Sequence, residues 1–153
     1  MVGFKKISLD GFEGLFKHGT NEPKCGLLIL SDFPEYSEEF LVNMVYHLNI
    51  EDFVIFYPDF TSLSNPDQIE SSEEWLSSHS IPLLIDQVAT SVYTLQELGC
   101  EEIVCISMGV GATLALSCAS HQVNSIIKEF YFIILFVGVC SLATLRLSHL
   151  LLS

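Results

Sequence analysis

Cys105-Ile106-Ser107-Met108-Gly109 stands between a short apolar run and a stretch rich in alanine and leucine. A serine hydroxyl at such a place can attack a carbonyl carbon, provided a base takes its proton and donors hold the developing oxyanion. Small-x-Ser-x-Gly between a strand and a helix is the spacing of a nucleophile elbow, a tight turn whose flanking positions must be small. Cys105 and Gly109 fill those positions, and Gly111 leaves room for close helix packing. The turn is expected to hold Ser107 Oγ out at the carboxyl edge of a sheet, beside a helix N-terminus that favours negative charge.

The groups that would activate this serine are scarce downstream. Only 46 residues follow it (153 − 107 = 46), with Glu129 as their one acid and His121 and His149 as their histidines. A serine without a base and an orienting acid is a poor nucleophile. His121 falls at the end of the helix after Ser107, and His149 lies among leucines without a neighbouring glycine. The sequence as written is therefore expected to lack a complete triad.

Positioning Ser107 needs a sheet and its covering helices, and the chain is long enough to bury a core. Residues 24–31, 52–58 and 103–106 are largely apolar runs of strand length, suited to strands buried on both faces. Residues 4–8 and 14–17 read as short strands about the turn Leu9-Asp10-Gly11. From Ser37, the residues Phe40, Leu41, Met44, Val45 and Leu48 recur at helical spacing, with acids in the first turn. Pro82 suits the first turn of another helix; Leu84, Val88, Val92, Leu95 and Leu98 continue its apolar face, and Gly99 closes it. Residues 61–80 are polar and predict a loop with at most one short helix. Strands alternating with such helices predict an α/β domain with a mainly parallel sheet.

Composition excludes several functions. A formal charge of −13, from 19 acidic and 6 basic residues, argues against nucleic acid and against anionic membrane surfaces. Five cysteines, Cys25, Cys100, Cys105, Cys118 and Cys140, show neither CxxC nor metal-ligand spacing. No metal or organic cofactor is implied. The absence of a cationic leader and of a disulfide framework predicts a reducing, cytoplasmic setting.

From about residue 4 to residue 120 the chain resembles the dienelactone hydrolase family of α/β hydrolases. The resemblance rests on Leu28-Ile29-Leu30-Ser31-Asp32-Phe33-Pro34, on Phe56-Tyr57-Pro58-Asp59-Phe60, and on the elbow around Ser107, in that order. It implies a three-layer α/β-hydrolase fold that cleaves a small ester, thioester or lactone through Ser107. It also implies an oxyanion hole made by the backbone N–H groups of Met108 and Phe33. Asp32 matches the position where the family often has a glutamate contacting the resting nucleophile; aspartate is one methylene shorter. Asp59 reads as a structural cap. In this fold the acid and then the histidine follow the nucleophile, so the sequence reads as C-terminally truncated relative to the family. The only arginine is Arg146, far from the middle loop where lactone-binding members hold a substrate carboxylate.

The alternative reading is a non-catalytic chain, a pseudoenzyme or a binding protein. Residues 130–138 predict one more core strand, followed by an apolar helix or an exposed end. Residues 130–145 carry no charge, but they fall short of the ~20 residues a membrane span needs. Self-association through this apolar segment is expected ahead of membrane anchoring.

Overall fold

A computed structural model describes residues 3–19, 25–31, 38–48, 50, 52–60, 72–120, 132–136 and 139–141. The chain begins with a hairpin, β1 (Lys5–Leu9) and β2 (Phe12–Lys17). Leu9 faces Phe12 across the two-residue loop Asp10-Gly11, where Gly11 has φ +86°. A residue with a Cβ rarely takes that backbone, and Asp-Gly is a favoured pair for such loops. The alternation then follows: β3 (Cys25–Leu30), α1 (Glu38–Leu48), β4 (Val54–Asp59), α2 (Ser72–Ser78), α3 (Ile81–Glu97), β5 (Glu102–Met108), α4 (Val110–Ser120), β6 (Phe132–Phe136) and β7 (Val139–Ser141).

The seven strands of the described residues form one sheet in the order β1-β2-β4-β3-β5-β6-β7. The four strands β4, β3, β5 and β6 run parallel, and antiparallel strands flank them on both sides. The apolar runs belong to the parallel centre, as expected of strands covered on both faces. Successive side chains point to opposite faces. Leu28, Leu30, Val54, Phe56, Ile103 and Cys105 enter one core with Leu84, Val88, Val92 and Leu95 of α3, Leu114 and Ala115 of α4, and Trp75 of α2. Leu27, Ile29, Ile55, Tyr57 and Ile106 enter a second core beneath Leu41 and Val45 of α1. The sheet is thus the middle of three layers.

Connectivity explains which helix lies on which face. The β3-to-β4 connection steps one way across the sheet, whereas β4-to-β5 and β5-to-β6 step the other way. Right-handed crossovers that travel in opposite directions must use opposite faces. Among the described helices, α1 therefore lies on one face and α3 and α4 on the other.

The boundaries differ from the sequence expectations in three places. β4 runs on through Pro58 to Asp59. β3 pairs with β4 only as far as Phe56, so the N–H missing from Pro58 leaves no ladder bond unmade on that side. Asp59 accordingly lies in a strand, opposite Glu13, rather than in a turn. The apolar run after residue 130 forms β6 beside β5, but residues 139–141 then return antiparallel as β7 instead of starting a helix. Residues 142–153 lie outside the described set. Among the described residues no helix is long and apolar enough to cross a membrane.

α3 ends as its glycine predicts. The N–H of Gly99 (φ +91°) donates to Gln96 O at 2.9 Å, and that of Cys100 to Leu95 O at 3.1 Å. This is a Schellman closure, which needs a left-handed residue after the C-cap. Gly99→Ala is expected to lower stability by about 1 kcal/mol, the cost of a left-handed residue with a Cβ, read as a lower urea midpoint at unchanged slope.

Candidate functional site

β5 carries Ser107 to the carboxyl end of the parallel centre. Ser107 stands in register with Leu30 of β3 on one side and Ile134 of β6 on the other. Chain direction across the sheet reverses beside β3, and open α/β sheets place ligands outside the carboxyl ends of the strands at such a switch point. Ser107 alternates with Cys105, whose side chain enters the α3–α4 core, and so shares its face.

The turn is displaced from its expected position. β5 continues through Met108, and the left-handed residue is Gly109, with φ +53°. Pairing to strands on both sides keeps Ser107 extended, and the glycine takes the reversal at the least steric cost. α4 then starts at Val110, with the Ala112 N–H donating to Gly109 O at 3.0 Å. Ser107 Oγ is consequently not held out at the sheet edge. The residue is fully buried, and its Oγ has no hydrogen-bond partner among the described residues.

Gly111 sets how close α4 lies to β3. A Cβ there would stand 2.4 Å from Leu30 O and 2.5 Å from Ser31 O. The helix therefore touches the β3 backbone at the strand end beside Ser107. α4 is apolar on most sides; Ala112, Leu114, Ala115 and Cys118 are buried.

Met108 ends β5, half-buried, and packs on the α1 side of the sheet. The other proposed oxyanion donor, Phe33, and Asp32 lie outside the described residues, as do His121, Glu129, Arg146 and His149. Among the described residues no acid or histidine hydrogen-bonds Ser107. No group of three or more His, Cys, Asp or Glu side chains among them is placed to hold a metal ion.

The remaining histidines have local roles. His79 Nδ1 lies 2.7 Å from Trp75 O, and its ring stacks on the Trp75 indole at 4.3 Å. Ser78 Oγ donates to Trp75 O, leaving its lone pairs toward His79 Nδ1 at 3.0 Å, so Nδ1 carries the hydrogen. His18 meets Phe16 edge-on at 5.0 Å, a partner not visible in sequence. His47 is exposed on α1 beside Tyr46.

Sequence reasoning missed a second buried orphan. Gln87 on α3 is buried, and its Oε1 has no partner among the described residues. Its signal was present: a polar residue interrupts the stripe between Leu84 and Val88.

Burial keeps the four described thiols protonated. Burial pushes Cys118 up to about 12 and Cys100 up to about 11, and it raises Cys105 strongly and Cys25 to a lesser degree. Raised thiols favour the protonated folded state, so their stabilisation is complete below the unfolded value of ~8.5 and is lost as pH climbs toward the folded values. Stability is expected to be insensitive to these groups at pH 7–8. Above pH ~8.5 it should fall by up to roughly 1.4 kcal/mol per pH unit for each buried thiol. Urea midpoints measured from pH 7 to 10.5 test this; a flat profile above pH 9 would contradict the burial of Cys105 and Cys118.

No protein-family model matches the chain, and no curated protein matches it either. Solved structures do resemble it. A highly thermostable carboxyl esterase from Bacillus coagulans, in complex with glycerol, aligns with a TM-score of 0.60 at 12% identity, over 87% of this chain and 44% of the esterase. A predicted CIB-like hydrolase from Thermoplasma acidophilum aligns with a TM-score of 0.59 at 10% identity, over 90% of this chain and 65% of that one. A soluble variant of monoglyceride lipase from Saccharomyces cerevisiae, in complex with a substrate analogue, gives 0.57 at 14% identity, over 86% and 43%. At these identities the likeness is one of fold, the α/β-hydrolase fold. The chain spans less than half the length of the esterase and of the lipase.

Proposed function

We propose that this chain, folded as an α/β hydrolase, is a hydrolase of the dienelactone hydrolase type that cleaves a small ester, thioester or lactone. The observation that carries the reading is the place of Ser107: at the carboxyl end of β5, at the switch point of the sheet, followed at once by the Gly109 turn and the N-terminus of α4. The carboxyl esterase and the monoglyceride lipase of similar fold support an ester as substrate.

In this reading Ser107 Oγ attacks the carbonyl carbon and gives its proton to a base. The carbonyl π pair moves to oxygen, where the N–H groups of Met108 and Phe33 receive the charge. The tetrahedral centre collapses, the leaving oxygen or sulfur departs with the proton, and acyl-Ser107 forms. Water then repeats the sequence and frees the acid.

One observation favours a second reading, in which the chain binds esters without turning them over. Ser107 Oγ is buried and meets no base among the described residues. Slow or absent turnover of p-nitrophenyl acetate is the expected result for the chain as written, because loss of triad members removes several orders of magnitude.

Covalent trapping distinguishes the readings. The chain is incubated with a fluorophosphonate, digested, and the modified peptide sequenced by mass spectrometry. The hydrolase reading expects the phosphonyl group on Ser107. No modification at a probe concentration that labels a serine esterase fully decides for the non-catalytic reading; a modification elsewhere places the reactive group away from Ser107.

A further inference from the structure

A cavity of about 580 Å³ lies between the β1–β2 hairpin and the outer flank of α3, and it shares no lining residue with the elbow. Ser8 and Asp10 contribute from the hairpin; Thr90, Tyr93, Thr94 and Glu97 contribute from the helix. The cavity is an open groove, with Ser8, Asp10, Tyr93 and Glu97 exposed along it.

Every polar side chain in this lining ends in oxygen. The Thr90 hydroxyl donates to Asp86 O and the Thr94 hydroxyl to Thr90 O, each at 2.9 Å. Their hydrogens are spent on the helix backbone, and only lone pairs remain for a ligand. The two carboxylates are acceptors, one on each wall. Tyr93 is half-exposed and offers a π face, which attracts cations. α3 ends at Glu97, and no basic side chain stands in its last turn. The negative end of the helix dipole therefore adds to the potential of Glu97. Ser8 and Tyr93 keep hydroxyls that can donate, but the two carboxylates and the two threonine oxygens leave acceptors in the majority. The groove fits a ligand that brings several N–H groups and positive charge.

We propose that this cavity binds an aliphatic polyamine, with one ammonium group at Asp10 and another at Glu97. The alkyl chain between them crosses the Tyr93 ring.

Calorimetric titration of the whole chain with spermidine at ~0.15 M salt, where surface attraction is largely screened, tests the proposal. One saturable site is expected. The double variant Asp10→Asn/Glu97→Gln should weaken binding at least tenfold, and Tyr93→Ala severalfold. Asp10→Asn preserves the hairpin, because Asn-Gly suits the same turn as Asp-Gly. The control Glu39→Gln/Glu101→Gln removes two exposed acids elsewhere and should leave binding within twofold of the parent. Equal weakening by both double variants would overturn the proposal, since it would show diffuse attraction to the net charge. Absence of saturation, or equal binding of uncharged sorbitol, would overturn it as well.

Discussion

Gly111→Ala is expected to destabilise the fold by at least ~2 kcal/mol. The added Cβ would meet two backbone oxygens, Leu30 O at 2.4 Å and Ser31 O at 2.5 Å. Neither is a side-chain tip that can swing away. Either α4 lifts off the sheet or the end of β3 bends. Alanine is the better helix former by ~1 kcal/mol, which offsets only part of the strain. A domain of this size has roughly 5–15 kcal/mol of total stability, so the loss would be easily read. Gly14→Ala is a useful comparison. Its Cβ would come within 2.6 Å of the Phe56 ring and 2.8 Å of Tyr57 O, so one of its two obstacles is a side chain. The Gly111 variant should therefore lose more. A urea midpoint equal to that of the parent chain would mean that α4 does not press on β3 as described. The effect should also reach the site, because Leu30 is the register partner of Ser107.

The parallel centre was readable in the sequence because its strands are buried on both faces. Residues 27–30, 54–57 and 103–106 are apolar without alternation, which is what a strand needs when helices cover it above and below. α3 was readable from its stripe, with Pro82 at its start and Gly99 past its end. What escaped depends on contacts made at long range. The passage of β4 through Pro58 follows from where β3 stops pairing. The return of β7 is a three-residue strand, too short for any period to show. The groove beside the hairpin is lined by Asp10 and Glu97, residues far apart in the chain that share it only because the hairpin lies beside α3. The order of strand, glycine and helix around Ser107 was legible as a motif, but the place of the turn and the burial of Ser107 were not. Burial is set by what covers the residue, and no local spacing encodes it.

That burial makes Ser107→Ala the most informative substitution. Its first expected effect is chemical. Removing the nucleophile of a complete serine triad costs ~10⁶ in kcat, and here fluorophosphonate labelling should fall to the background set by other hydroxyls. Labelling that persists would place the reactive group elsewhere. Its second effect should run the opposite way. A buried hydroxyl without a partner carries an uncompensated desolvation cost of ~1–3 kcal/mol, and Ser107 Oγ is such a group among the described residues. Alanine keeps the Cβ and removes the orphan oxygen. The space left is less than a methyl group, so the cavity term is small. The variant is expected to be more stable than the parent chain by about 1 kcal/mol, seen as a higher urea midpoint with unchanged slope. The hydrolase reading accounts for such a group, since a nucleophilic serine must await its substrate without being consumed by a structural hydrogen bond. The two readouts separate the causes. Loss of labelling with a gain in stability identifies a residue kept for chemistry. A loss of stability would show that Ser107 Oγ is hydrogen-bonded in solution, and the serine would then be a structural element of β5.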